Sequence, residues 1–189
     1  RHVPEPPKVK FELPEYSLTN QDGETFGSAD LKGKVHVVSF FFTSCQTICP
    51  RVIGAMTKLQ EKYDRDKIPV QLVSITVDPD NDTPEKLKEY AKKIGANHSR
   101  WNFLTGSWEK VNDLIVKGYK THMGKKEADD AGIMDIGHGA HLVLVDEKSG
   151  VRGIYDTTDS GIDEIFHRST HVLRVIRQQG SCSIARHLH

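Results

Sequence analysis

The stretch from Val35 to Phe42, where valine and phenylalanine are interrupted only by His36 and Ser39, restricts the fold more than any other part of the chain. An apolar run of that length, rich in β-branched and aromatic residues, suits a strand buried on both faces, as in the middle of a parallel sheet. It leads directly into Cys45-Gln46-Thr47-Ile48-Cys49-Pro50, and then into Val52, Ile53, Met56, Leu59 and Tyr63 at helical spacing. A buried strand that turns through two cysteines into an amphipathic helix needs further strands on either side and helices to cover it.

The flanking sequence supplies them. Val70 to Val77 reads as a second core strand. Asp82-Thr83-Pro84-Glu85 starts a helix, with Thr83 or Asp82 as cap and Pro84 in the first turn, running through Leu87, Tyr90 and Ala91 to Gly95. Trp101 to Leu104 is a short strand, and Ser107 caps a helix through Val111, Leu114 and Ile115 to Gly118. Residues 119–137 are polar and without period, which reads as a loop or insertion. Leu142 to Val145 is a third core strand, turned at Lys148-Ser149-Gly150 into an antiparallel partner, Val151 to Tyr155. Ile162, Ile165, Phe166, Val172, Leu173 and Ile176 mark an amphipathic C-terminal helix. Ahead of all this, residues 15–26 form a β-hairpin about Asn20-Gln21-Asp22-Gly23, and Ser28 to Leu31 is a helical turn stopped at Gly33.

The βαβ portion implies parallel strands with helices on the sheet faces, and the closing hairpin adds an antiparallel edge. The expected fold is α/β and thioredoxin-like: a central mixed sheet flanked by helices, with an N-terminal β-hairpin extension and an insertion before the last hairpin. Residues 1–10, with Pro4, Pro6 and Pro7, read as an extended tether; 11–180 as a single domain; and 181–189 as a mobile tail.

Charge excludes some functions. Lys plus Arg and Asp plus Glu each number 26, so no basic excess points to nucleic acid. Nothing approaches the ~18 apolar residues of a membrane span. The chain opens with Arg1, and a signal or anchor upstream of residue 1 is expected.

Three cysteines, Cys45, Cys49 and Cys182, are too few for a disulfide scaffold and lack the two-pair pattern of a structural zinc site. The close pair lies at the carboxyl end of a core strand, where α/β sheets gather ligands. Pro50 is expected to open the helix, with Cys49 at the cap position. The helix N-terminus then favours thiolate and should lower the cysteine pKa below its free value of ~8.5.

A redox thioredoxin separates its cysteines by two residues and carries a cis-proline before the strand facing them. Here three residues intervene, and no proline follows Pro84. Before Leu142 stands Asp135-Ile136-Gly137-His138-Gly139-Ala140-His141. His138, in a glycine-flanked loop opposite the cysteines, is the favoured third ligand; His141, at an odd offset beside the strand, should face the other way. Two thiolates with one imidazole suit Cu(I) and tolerate Cu(II), whereas zinc prefers a fourth ligand. His167 and His171, four apart on the last helix, and the tail bearing Cys182, His187 and His189 are weaker candidates. Asp78 follows a core strand at the same sheet edge, either supporting the site or capping a helix.

These residues resemble the Sco/SenC family, named for synthesis of cytochrome c oxidase. The likeness is carried by Gly33-Lys34-Val35, by Phe41-Phe42-Thr43-Ser44-Cys45 with Cys49-Pro50, by Ser74 to Pro79, by Asp82 to Glu85, by Trp101 to Gly106, and by the distal His138. It spans residues ~12 to 178. The resemblance implies a monomeric copper metallochaperone, held by an N-terminal membrane tether in the periplasm or the mitochondrial intermembrane space. Such a protein would deliver copper to, or maintain the thiols of, the dinuclear copper centre in the copper-bearing subunit of cytochrome c oxidase. Other copper chaperones or thiol reductants would be further partners. It carries over Cys45, Cys49 and His138 as copper ligands, with Cys45 and Cys49 as the redox pair. The alternative is a thiol–disulfide oxidoreductase without obligatory copper transfer; a thiol peroxidase would not require the distal histidine. The sequence departs from the family in having Gly137, not an acidic residue, immediately before its histidine, and in carrying His141 and Cys182.

Overall fold

The computed structural model describes residues 5–45, 49–121, 127–128, 134–135 and 141–185. The long apolar run becomes β4 (His36–Phe41), every residue of which is buried except the partly exposed Phe40. It pairs in parallel with β5 (Gln71–Thr76), which pairs in parallel with β6 (Trp101–Thr105). On its other side β4 meets β9 (His141–Val145) antiparallel, and β9 turns back into β10 (Gly150–Asp156). The N-terminal hairpin is not an appendage. Its strands β2 (Ser17–Asn20) and β3 (Thr25–Gly27) extend the sheet through β2 pairing antiparallel with β6. At the opposite end β1 (Phe11–Glu12) pairs with β10. One sheet of eight strands results, in the order β1-β10-β9-β4-β5-β6-β2-β3. A separate antiparallel pair, β7 (Glu127–Ala128) with β8 (Met134–Asp135), occurs within the stretch expected to be irregular.

Among the described residues, five α-helices accompany the sheet. The short α1 (Ser28–Leu31) is followed by Gly33 at φ +81°, a left-handed conformation that glycine adopts without penalty. The Gly33 amide donates to the Glu147 carbonyl at 2.9 Å, tying the start of β4 to the β9–β10 turn. The cysteine helix is α2 (Cys49–Arg65), and α3 (Pro84–Ile94) has Thr83 as N-cap, its hydroxyl accepting from the Lys86 amide. Gly95 closes α3 in the left-handed region at φ +74°. α4 (Trp108–Asp113), capped by Ser107, relaxes into a π-helical turn over Leu114–Gly118. The final α5 (Asp159–Ala185) packs along α2, where the hydroxyls of Tyr63 and Ser169 are 2.8 Å apart and the Tyr63 and Phe166 rings lie 5.4 Å centroid to centroid. Among the described residues no helix is long and apolar enough to cross a membrane.

Nine-tenths or more of each core side chain is removed from water, including Phe41, Met56, Leu59, Tyr63, Leu72, Ile75, Trp101, Phe103 and Leu142. A polar thread crosses this core. Trp101 Nε1 donates to Ser74 Oγ at 3.0 Å, and Ser74 Oγ lies 2.8 Å from Ser39 Oγ, so neighbouring strands share one satisfied chain of hydroxyls. The arrangement, a central mixed sheet with β4 and β5 at its middle and helices flanking it, is the thioredoxin-like one expected. Within residues 1–10, the Pro7 carbonyl accepts from Arg152 Nη1 at 2.8 Å and the Lys10 amide donates to the Val151 carbonyl at 2.8 Å.

Candidate functional site

The site begins where β4 stops. The Cys45 amide donates to the Phe42 carbonyl at 3.2 Å, closing a tight turn through Thr43 and Ser44. On the far side of the loop, α2 starts at Cys49 itself rather than at Pro50, one residue earlier than expected. Pro50 is tolerated there because an amide in the first turn has no intrahelical acceptor to lose. The Cys49 amide, one of these unclaimed donors, points at Cys45 Sγ, 3.4 Å away. Cys45 is half-buried and Cys49 is 6% exposed.

The expectation of lowered thiol pKa values fails at Cys49. Burial pushes its thiol well above the usual range, and the neighbouring Cys45 sulfur and Asp82 carboxylate add to the effect. Desolvation of the charged form outweighs the helix terminus.

Two further groups face the pair. Tyr90 of α3 packs on Phe41 and Phe103, with ring centroids 5.4 and 6.3 Å away. Burial, with Cys49, Cys45 and Asp82 adding negative potential, raises its phenol to about 12. Beside it a cleft of about 230 Å³ is lined by Thr43, Lys86, Glu89, Tyr90 and Lys93, so the cysteine turn borders open, mainly basic surface.

Beneath the turn lies Asp82, fully buried. Its Oδ2 accepts from the Thr43 amide at 3.1 Å and from Thr76 Oγ1 at 2.6 Å, and its Oδ1 accepts from the Thr43 hydroxyl. Its carbonyl accepts from Thr105 Oγ1 at 2.8 Å. Asp82 is thus not the cap of α3, a role Thr83 fills; it gathers the carboxyl ends of β4, β5 and β6. Sequence reasoning missed this group. The available signal was a threonine at or just past the end of each of three successive core strands.

Asp78 is buried at the same sheet edge; its amide donates to Thr76 Oγ1 at 3.0 Å, and its carbonyl accepts from the Asn81 and Asp82 amides at 3.1 and 2.9 Å. It shapes the turn into α3. His138 lies outside the described residues, as do His187 and His189, and nothing is described of the Cys182 side chain. His141 is exposed at the first position of β9, opposite Asp156. His167 is exposed on α5, while His171 is partly buried and its pKa is lowered, chiefly by burial and then by Arg174 and Arg168. Among the described residues, no cluster of three or more His, Cys, Asp or Glu side chains could hold a metal ion. The two sulfurs are soft donors at the rim of an apolar core, chemistry that fits a soft ion such as Cu(I).

Comparison with known proteins agrees with this geometry. The SCO1/SenC family profile matches residues 5–174. The SCO1 protein homolog of Bacillus subtilis is 37% identical over 65% of this chain, and the chain spans 64% of that relative's length, a little under two thirds. The solved structure of BsSco was described as revealing a disulfide switch in a member of the Sco family of cytochrome c oxidase assembly proteins. It is 30% identical, with a TM-score of 0.79 over 89% of this chain and 98% of that one. Arabidopsis thaliana ScoI, solved with copper bound, is 26% identical, with a TM-score of 0.68 over 89% of this chain and 99% of that one. With a thioredoxin-like sheet, a cysteine pair at its central strand–helix junction and a profile match over nearly the whole length, the chain belongs to the SCO1/SenC family.

Proposed function

We propose that the protein is a copper metallochaperone whose cargo is held by the thiolates of Cys45 and Cys49 and the imidazole of His138, and is passed to the dinuclear copper centre of cytochrome c oxidase. The observation that carries this reading is the junction itself: a half-buried sulfur with an amide N–H aimed at it, and a second sulfur on the first residue of the same helix. The copper-bound Arabidopsis relative and the assembly role attributed to BsSco's family support it.

Binding exchanges the thiol protons for the ion, so affinity falls as pH is lowered. Release follows by ligand exchange: a client's thiolates replace those of Cys45 and Cys49 one at a time, and the half-exposed Cys45 is the one a client reaches first. If the pair instead passes two electrons to an acceptor disulfide, Cys45 and Cys49 close on each other and lose the capacity to hold copper. Accordingly, the protein acts on the extracytoplasmic side of a membrane, tethered by a segment ahead of residue 1, where such an ion and such a client meet.

The disulfide switch described for BsSco favours one second reading, a thiol–disulfide oxidoreductase that maintains client cysteines. Replacing His138 by alanine separates the two. The chaperone reading expects loss of stable copper binding, Cu(II) most of all, seen as loss of the sulfur-to-copper absorption band and of the copper-bearing mass, with thiol exchange largely kept. Copper bound unchanged by the variant would overturn the ligand assignment.

A further inference from the structure

We propose that Thr43 and Asp82 form a positioning clamp on the cysteine turn that favours its dithiol form and so sets how readily Cys45 and Cys49 close as a disulfide. This rests on reading the two cysteines as a working thiol pair and does not depend on copper. Asp82 is a fully buried carboxylate with no ion-pair partner among the described residues. A buried charge is tolerated only where hydrogen bonds replace its hydration. The donors here are the amide and hydroxyl of Thr43 and the hydroxyl of Thr76, at the exit of β4 and the end of β5. Only Thr43 supplies two of them, and Thr43 stands two residues before Cys45.

The geometry makes the clamp oppose closure. Cys49 is fixed at the start of the 17-residue α2, and its side chain is nearly buried. A disulfide brings two sulfurs far closer than any thiol–thiol contact. The approach must therefore come from Cys45, which hangs on the short turn whose other end is Thr43. Drawing Cys45 toward the helix pulls Thr43 off the carboxylate, leaving a buried charge short of a donor. That cost falls on the disulfide state alone in the wild-type chain.

The test is the equilibrium with dithiothreitol, in which two electrons and two protons pass from the reagent to the Cys45–Cys49 disulfide, giving two thiols and oxidised dithiothreitol. Thr43→Val removes the hydroxyl and should favour the disulfide, lowering the equilibrium constant for reduction on the order of tenfold, the value of one hydrogen bond to a charged group. Thr43→Ser, which keeps the hydroxyl, should stay within about twofold of wild type. Thr105→Val frees the Asp82 carbonyl and spares the carboxylate; it should lower stability while leaving the equilibrium where it was. Should Thr43→Val fail to fold, Thr43→Ala makes the same deletion with less bulk. A wild-type constant in the hydroxyl-deleted variant, or an equal shift in Thr43→Ser or Thr105→Val, overturns the proposal. A wild-type chain whose cysteines never close under oxidant would refute the thiol-pair reading itself, and the clamp with it.

Discussion

Replacing His36 by leucine should remove much of the protein's sensitivity to mild acid. His36 opens β4, is 2% exposed, and donates from Nδ1 to the Lys34 carbonyl at 3.2 Å, while its Nε2 finds no partner among the described residues. Burial lowers its pKa from 6.5 to about 4, against smaller opposing effects of the Lys34 carbonyl and Asp146. The folded state thus binds the proton less well than the unfolded chain. Stability from this group is complete above pH 6.5 and is lost as pH falls toward 4. The whole difference, 6.5 − 4 = 2.5, corresponds to about 3.4 kcal/mol, of which about 2 kcal/mol is already lost at pH 5. Urea unfolding at pH 7.5 and pH 5.0 measures this directly. Carboxylates that titrate in both proteins cancel in the comparison, so the wild type should lose about 2 kcal/mol more than His36→Leu between the two pH values. An identical loss in both would show that the ring is not held neutral by burial.

The polar thread of the core makes an asymmetric prediction. Ser74→Ala strands the buried Trp101 N–H and should cost about 2 kcal/mol, whereas Ser39→Ala leaves that donor satisfied and should cost about half as much; equal losses in denaturant titrations would contradict Ser74 as the acceptor of the Trp101 N–H. Gly95→Ala meets no atom within 4 Å of the added carbon but must hold φ +74°, so it should lower stability by about 1 kcal/mol through backbone conformation alone, measured as a shift in the thermal midpoint.

Elements held together by local chemistry were legible before any coordinates. The valine–phenylalanine run suffices for β4, the apolar period of residues 50–63 for most of α2, and Thr83, Pro84 and Gly95 for both ends of α3. What escaped depends on partners distant in sequence. Asp82 reads as a cap because it precedes Thr83-Pro84, and only Thr43, brought over from 39 positions away, reveals its other role. Cys49 sits where a helix terminus should favour its thiolate, but the apolar packing that reverses this comes from the assembled core. The π-helical turn after Asp113 follows an unbroken helical pattern, and the two-residue strands β7 and β8 are too short to show a period of two. The family likeness reached the cysteine pair through a compact motif, whereas His138 depends on a single position outside the described residues.

The eight-stranded sheet ends in very short strands on both sides: two residues in β1 and three in β3. An outer strand offers its unused peptide groups to any extended segment that drifts past, and long ones can zip proteins together irreversibly. A carrier of the kind proposed has to collide with its client, surrender an ion and leave again. Rims this brief give a visiting chain little to grip, so encounters at the cysteine turn can stay short while the sheet that supports it stays broad.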